Sequence, residues 1–208
     1  MIIKKFTFNS FQENTYIVSS NQQCMIIDPG CSNKSEQMVL ENYITENKLN
    51  PIVLINTHCH LDHIFGNKFI SEKYKLIPKM HVKDLPLLEK AVEVAKLYNV
   101  PLEPPPLNVD LITENDTITI GELTWKILFT PGHAPGHISL LSEVEKKIFV
   151  GDVLFFMSIG RTDLPGSNHD DLIMSIKNKL FVLDNDIDVF CGHGDNTSIG
   201  FEKKNNPF

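Results

Sequence analysis

The segment from Pro51 to His63, PIVLINTHCHLDH, constrains this chain more than any other. An apolar run of strand type leads directly into THCHLDH, which puts His58, His60, Asp62 and His63 into six consecutive positions. On extended backbone alternate side chains share a face, so His58 and His60 point the same way. A turn after them lets Asp62 and His63 face a second point nearby. Without a cation, four such groups would compete for hydrogen bonds in one small volume. Two adjacent metal positions are the expectation.

Zinc usually takes four or more donors, so this segment needs partners from elsewhere in the chain. Three other strand-like runs supply them. His133 lies in FTPGHAPGH, where a Gly-Pro turn lets an imidazole approach a cation closely. Asp152 ends IFVGD, where a buried carboxylate is costly unless cations hold it, so it is the natural bridge. His193 ends VFCGHG and completes the second position. His137, in the same turn region as His133, is assigned a supporting role behind a ligand. His81 and His169 lack such companions and are expected to be exposed polar residues.

The apolar runs CMIIDPG, PIVLINTH, LTWKILFTPGH, KKIFVGD and DIDVFCGH read as buried strands. Between them, residues 34–48, 84–98 and 169–183 have the apolar spacing of surface helices packed on a sheet. Ser167 or Asn168 could cap the last of these, with Asp170 and Asp171 in its first turn. The pattern is α/β and layered. No linker or repeat divides it, so one domain spanning 1–208 is expected. The piece before the stiff LEPPPLN at 102–108 reads either as a core-facing helix or as a lid over a site.

A net charge of -7, with no basic run longer than two residues, argues against a nucleic acid partner. Of 19 basic residues only Arg161 is arginine, which suggests a need there for a planar two-pronged donor. Four cysteines (24, 31, 59 and 191) without a CxxC pair suggest neither a disulfide framework nor a cysteine zinc site, and fit a reducing cytoplasm. All four thiols are expected to be structural. No signal core or membrane-spanning stretch is read, so an unexported protein without membrane association is expected.

The succession HxHxDH, a distant GH, then GD, then GH, resembles the metallo-β-lactamase superfamily along the whole chain, and IIDPG at Ile26–Gly30 fits it too. The resemblance implies a four-layer αββα sandwich with the site at one edge. It implies that His58, His60 and His133 hold one metal and Asp62, His63 and His193 the other, with Asp152 bridging and Asp28 supporting from behind. SIGRTDLPGSN and the ending GHGDNTSIGFEKKNNPF are similar to short glyoxalase II-like hydrolases. Full glyoxalase II-type proteins carry a further helical region that helps bind glutathione, so this sequence reads as a short form. In the GRTD loop, Arg161 either pairs with a carboxylate or contacts substrate.

The function that follows is hydrolysis of a small-molecule thioester or ester, such as a hydroxyacylglutathione, by a hydroxide bridging two divalent metals. Asp62 and Asp152 are the catalytic carboxylates. Zinc suits the donors best, and iron or manganese would also be accepted. One rival reading is a persulfide dioxygenase with one iron held by His58, His133 and Asp152. Another is a phosphodiester-cleaving nuclease, against which the acidic composition speaks.

Overall fold

The computed structural model describes residues 1–208. They form two compact units, residues 1–112 with 119–123 and residues 113–118 with 124–208.

The first unit is built on strands β1 (Ile2–Phe8), β2 (Glu13–Ser20), β3 (Gln23–Ile27), β4 (Asn50–Ile55), β5 (Pro78–His81) and β6 (Asp110–Ile112), hydrogen-bonded in that order. β1, β2 and β3 are antiparallel, whereas β3 to β6 run parallel. Parallel neighbours need crossovers, and helices α1 (Lys34–Glu46), α2 (Leu61–Ile64), α3 (Asn67–Tyr74) and α4 (Leu85–Leu97) supply them. Leu40 and Ile44 of α1 and Ile70 of α3 pack with Ile17, Ile26 and Leu54 of the sheet. The expected helix at 34–48 is therefore present, entered through Asn33, whose side chain accepts from the Glu36 N–H.

α4 settles the choice at 84–98. Leu88, Ala91 and Ala95 are buried against Cys59, Leu61, Ile64, Phe65 and Met80, so its apolar face packs behind the histidine-rich segment and is not a lid. The β1–β2 hairpin escaped the sequence reading because IIKKFTF alternates only weakly, and its exposed positions belong to an edge strand.

The second sheet contains β7 (Thr117–Ile120), β8 (Leu123–Phe129), β9 (Ile138–Ser142), β10 (Lys147–Gly151), β13 (Asp188–Cys191) and β14 (Thr197–Ser198), in the order β14-β13-β10-β9-β8-β7. A small hairpin, β11 (Leu154–Phe155) with β12 (Ser158–Ile159), follows β10. β10 and β13 are parallel, and the crossover between them carries α5 (His169–Ser175). Leu172 of α5 is buried with Val150, Val153, Val189 and Ile199, the last at the start of α6 (Ile199–Asn205).

The expected helix at 169–183 is shorter in α-helical form. After Ser175 the chain widens, and the Phe181 N–H reaches back five residues to the Ile176 carbonyl. Asn168 is the cap and accepts from the Asp171 N–H. Ser167 has another task, since its hydroxyl donates to the His133 carbonyl at 2.7 Å.

Candidate metal centre

In the first unit three groups of polar residues lie at the carboxyl ends of parallel strands: Asp28 after β3, His58–His63 after β4, and His81–Asp84 at the end of β5. Asp28 adopts φ 48°, a left-handed conformation that aspartate tolerates better than most residues. Its carboxylate accepts from the Thr57 N–H (2.7 Å) and the Thr57 hydroxyl (2.6 Å), and lies 3.1 Å from His63 Nδ1. Because the one Thr57 hydroxyl hydrogen goes to Asp28, Thr57 Oγ1 must accept at His58 Nδ1, 3.1 Å away. Nδ1–H is thus fixed on both imidazoles, and their Nε2 atoms are the ones presented to a cation. His63 Nε2 is 3.7 Å from Asp62 Oδ2. The His58 ring centroid lies 4.1 Å from that of His63 and 4.8 Å from that of His60.

Two buried carboxyl groups in this unit escaped the sequence reading. Glu13 is fully buried beside His63, with Oε1 4.0 Å from Nδ1 and Oε2 2.9 Å from the Thr15 hydroxyl. The Thr15 oxygen also accepts from the Gly30 N–H, and its hydrogen fits the Asp28 carbonyl at 2.8 Å. The bookkeeping closes when Glu13 is protonated and donates to Thr15. Burial pushes its carboxyl well above the usual range, as that requires. Gly30 must be glycine, because a Cβ there would come within 2.6 Å of the Asp62 main-chain carbonyl oxygen and would overlap Glu13 Oε2 as well. The second is Asp84, equally buried, whose Oδ2 accepts from the Cys59 N–H at 2.8 Å.

In the second unit β8, β10 and β13 run in the same direction, and His133, Asp152 and His193 follow their respective carboxyl ends. One carboxylate oxygen, Asp152 Oδ2, lies 3.4 Å from both His133 Nε2 and His193 Nε2. That is longer than a good hydrogen bond. It matches the spacing of about 3.4 Å between donor atoms on a tetrahedral cation with bonds of about 2.1 Å. A donor set of imidazoles around a shared carboxylate fits divalent metals, so the residues present suit the group.

The groups behind these candidate ligands are equally specific. His137 is buried and its Nε2 accepts from the Asp152 N–H at 3.0 Å, so Nδ1 carries the proton and faces Thr130 Oγ1 at 3.3 Å. His133 Nδ1 donates to the Arg161 carbonyl at 2.8 Å. Gly132 has φ 136° and sits so close to α5 that a Cβ would overlap the Leu172 backbone, which is why TPGH takes no larger residue before its histidine.

The Arg161 side chain makes a two-pronged pair with Asp163, Nε to Oδ1 at 2.6 Å and Nη2 to Oδ2 at 2.8 Å. Those hydrogen bonds hold the Asp163 carboxyl down at about 2. The planar donor read from the lone arginine thus has a carboxylate partner, while the main-chain carbonyl of the same residue steers His133.

His81 departs from expectation. It is buried, because it closes β5 inside the sheet, and its Nδ1 accepts from the Lys83 N–H at 3.3 Å. His169 is exposed as expected. All four thiols are free and buried, with Cys59 Sγ turned to Met80 Sδ at 3.8 Å.

Fold and donors together describe an α/β metal-binding protein. The family model of the metallo-β-lactamase superfamily matches residues 9–193, and the chain belongs to that superfamily. It is similar to the hydroxyacylglutathione hydrolase GloC of Haemophilus influenzae, 35% identical over all of this chain and 98% of that protein. Among solved structures it is similar to BLEG-1, a B3 metallo-β-lactamase (TM-score 0.91, 33% identity, 100% of this chain and 99% of that one). It is also similar to TTHA1623 in a di-iron-bound form (TM-score 0.88, 34% identity, 99% of both chains). The protein is a metal-binding enzyme of the metallo-hydrolase class. No helix is long and apolar enough to cross a membrane.

Proposed function

We propose that this protein hydrolyses small thioesters of the hydroxyacylglutathione type at a two-metal centre. In this reading His58, His60 and His133 would hold one cation, Asp62, His63 and His193 would hold the other, and Asp152 would serve both. The carrying observation is the single Asp152 oxygen standing 3.4 Å from two imidazoles, a placement that suits a carboxylate shared between cations. When bound, the metal pair supplies a water ionised near neutral pH and an electrophilic clamp for the carbonyl oxygen.

The protein's own contribution is orientation. Asp28 and Thr57 fix the tautomers of His63 and His58, the Arg161 carbonyl does so for His133, and His137 anchors the Asp152 backbone. Asp62 offers a carboxylate oxygen that can accept a hydrogen bond from the attacking water. No protein nucleophile enters, since the cysteines are buried and burial pushes Cys24 up to about 12. Likeness to GloC supports the thioester substrate. The donors suit zinc, and the di-iron relative makes iron the competing metal.

The test is elemental analysis of the purified protein with an assay panel of S-lactoylglutathione, simple thioesters, lactones, a β-lactam and glutathione persulfide. The reading expects thioester turnover without oxygen uptake, lost by at least about 100-fold in Asp152→Asn with two metals no longer retained. Oxygen consumption with the persulfide, or full turnover by Asp152→Asn, overturns it.

A further inference from the structure

The segment that carries His58 and His60 has left the sheet. β4 ends at Ile55, and residues 58–60 lie in neither strand nor helix. The Cys59 peptide between the two histidines is buried, and the N–H there donates to Asp84 Oδ2 at 2.8 Å. An acceptor is needed, because a buried amide without one is strongly disfavoured.

Asp84 is unusual in where it sits. It occupies the cap position of α4, a 13-residue helix, yet makes no side-chain capping bond. Aspartate is among the best capping residues, and here the carboxylate turns inward to the ligand segment instead. Its burial is complete, a costly place for a carboxylate. The partial positive charge of the α4 amino terminus offsets part of that cost. Meanwhile the Cys59 side chain is seated on Met80, in the cluster with Leu88, Ala91 and Ala95. Backbone and side chain of the residue between the two histidines are therefore both gripped by the β5–α4 region.

We propose that Asp84 is a positioning residue for the metal centre: through the Cys59 N–H it sets the spacing of His58 and His60, and with it metal affinity and coordination geometry. This rests on the reading of His58 and His60 as ligands, but not on the identity of the substrate.

The experiment loads metal-free protein with Zn²⁺ in competition with a chromophoric chelator, and with Co²⁺ for its visible spectrum. Three variants are compared with the unmodified chain. Asp84→Ala removes the acceptor, Asp84→Asn keeps a carbonyl oxygen that can accept from Cys59, and Leu88→Ala loosens the α4 packing without touching the bond. Asp84→Ala is expected to bind Zn²⁺ some 10–100-fold more weakly and to shift the Co²⁺ bands. Asp84→Asn is expected to recover most of the affinity, and Leu88→Ala to keep both affinity and spectrum. Unchanged affinity in Asp84→Ala, or an equal loss in Leu88→Ala, overturns the proposal while leaving thioester hydrolysis standing. Should Asp84→Ala fail to fold, an Asp84→Asn protein with the weakened affinity and altered spectrum expected of Asp84→Ala overturns it as well. Failure of the unmodified chain to bind Zn²⁺ or Co²⁺ overturns both.

Discussion

Replacing His137 separates the role of the imidazole from its mere bulk. His137→Ala leaves the buried Asp152 N–H without an acceptor and takes one of two side-chain partners from Thr130, which keeps Ser139. An unsatisfied buried group costs about 1–3 kcal/mol. The space left by a fully buried ring adds on the order of 2 kcal/mol, within the usual range for removing a large core side chain. A loss of about 3–5 kcal/mol is expected. His137→Gln, whose side-chain carbonyl can accept from Asp152, should lose about half as much. Urea unfolding in the presence of EDTA reads this without a contribution from metal binding. In the metal-loaded protein, His137→Ala should also bind Zn²⁺ about 10–100-fold more weakly, because the Asp152 backbone is no longer anchored. Equal destabilisation by Ala and Gln, or a loss in Ala below about 1 kcal/mol, would show that the bond to Asp152 carries no weight.

Arg161→Lys should raise the Asp163 carboxyl from about 2 toward its ordinary value of 3.8, since a lysine cannot make the two-pronged pair. The sign is that of a lowered carboxylate: the pair's contribution is complete above the unfolded value and fades as pH falls toward 2, which carboxyl NMR titration reads directly. A carboxyl that stays near 2 in the lysine variant contradicts this. Asn168→Ala removes the α5 cap and should cost about 0.5–2 kcal/mol in thermal or urea unfolding, whereas no loss would mean the Asp171 N–H finds another partner. Glu13→Gln should be nearly neutral, within about 1 kcal/mol, because an amide can donate to Thr15 as a protonated acid does. In metal-free protein the raised Glu13 carboxyl makes stability fall as pH rises from the unfolded value toward the folded one, and Glu13→Gln should flatten that slope. A slope unchanged in the variant assigns the pH dependence to other groups.

Much of the candidate centre was legible because its residues sit where apolar runs stop. PIVLIN, KKIFVG and DVFC each announce a buried strand by composition, and a histidine or aspartate at such an end has few other employments. α4 was ambiguous for a physical reason: an apolar helical face looks the same whether it covers a ligand or a backbone segment. Glu13 and Asp84 stayed invisible because nothing local distinguishes a buried carboxyl from a solvated one. Glu13 stands in FNSFQENTY and Asp84 in HVKDLP, both polar enough to pass for surface. His81 was misread on the same ground.

Local pattern, which depends only on neighbours along the chain, was enough to fix the α/β class and the principal strands and to single out the candidate donor residues. Asp28 and His137 were already expected as supports, but tertiary packing alone decided what they hold, Asp28 at Thr57 and His63 and His137 at the Asp152 N–H, and it alone set Thr57 at His58, the Arg161 carbonyl at His133 and Asp84 at Cys59. These pairs are 15 to 35 residues apart in all cases but the adjacent Thr57 and His58. A hydrogen bond between remote residues leaves no period in the sequence, so only the folded backbone reveals it.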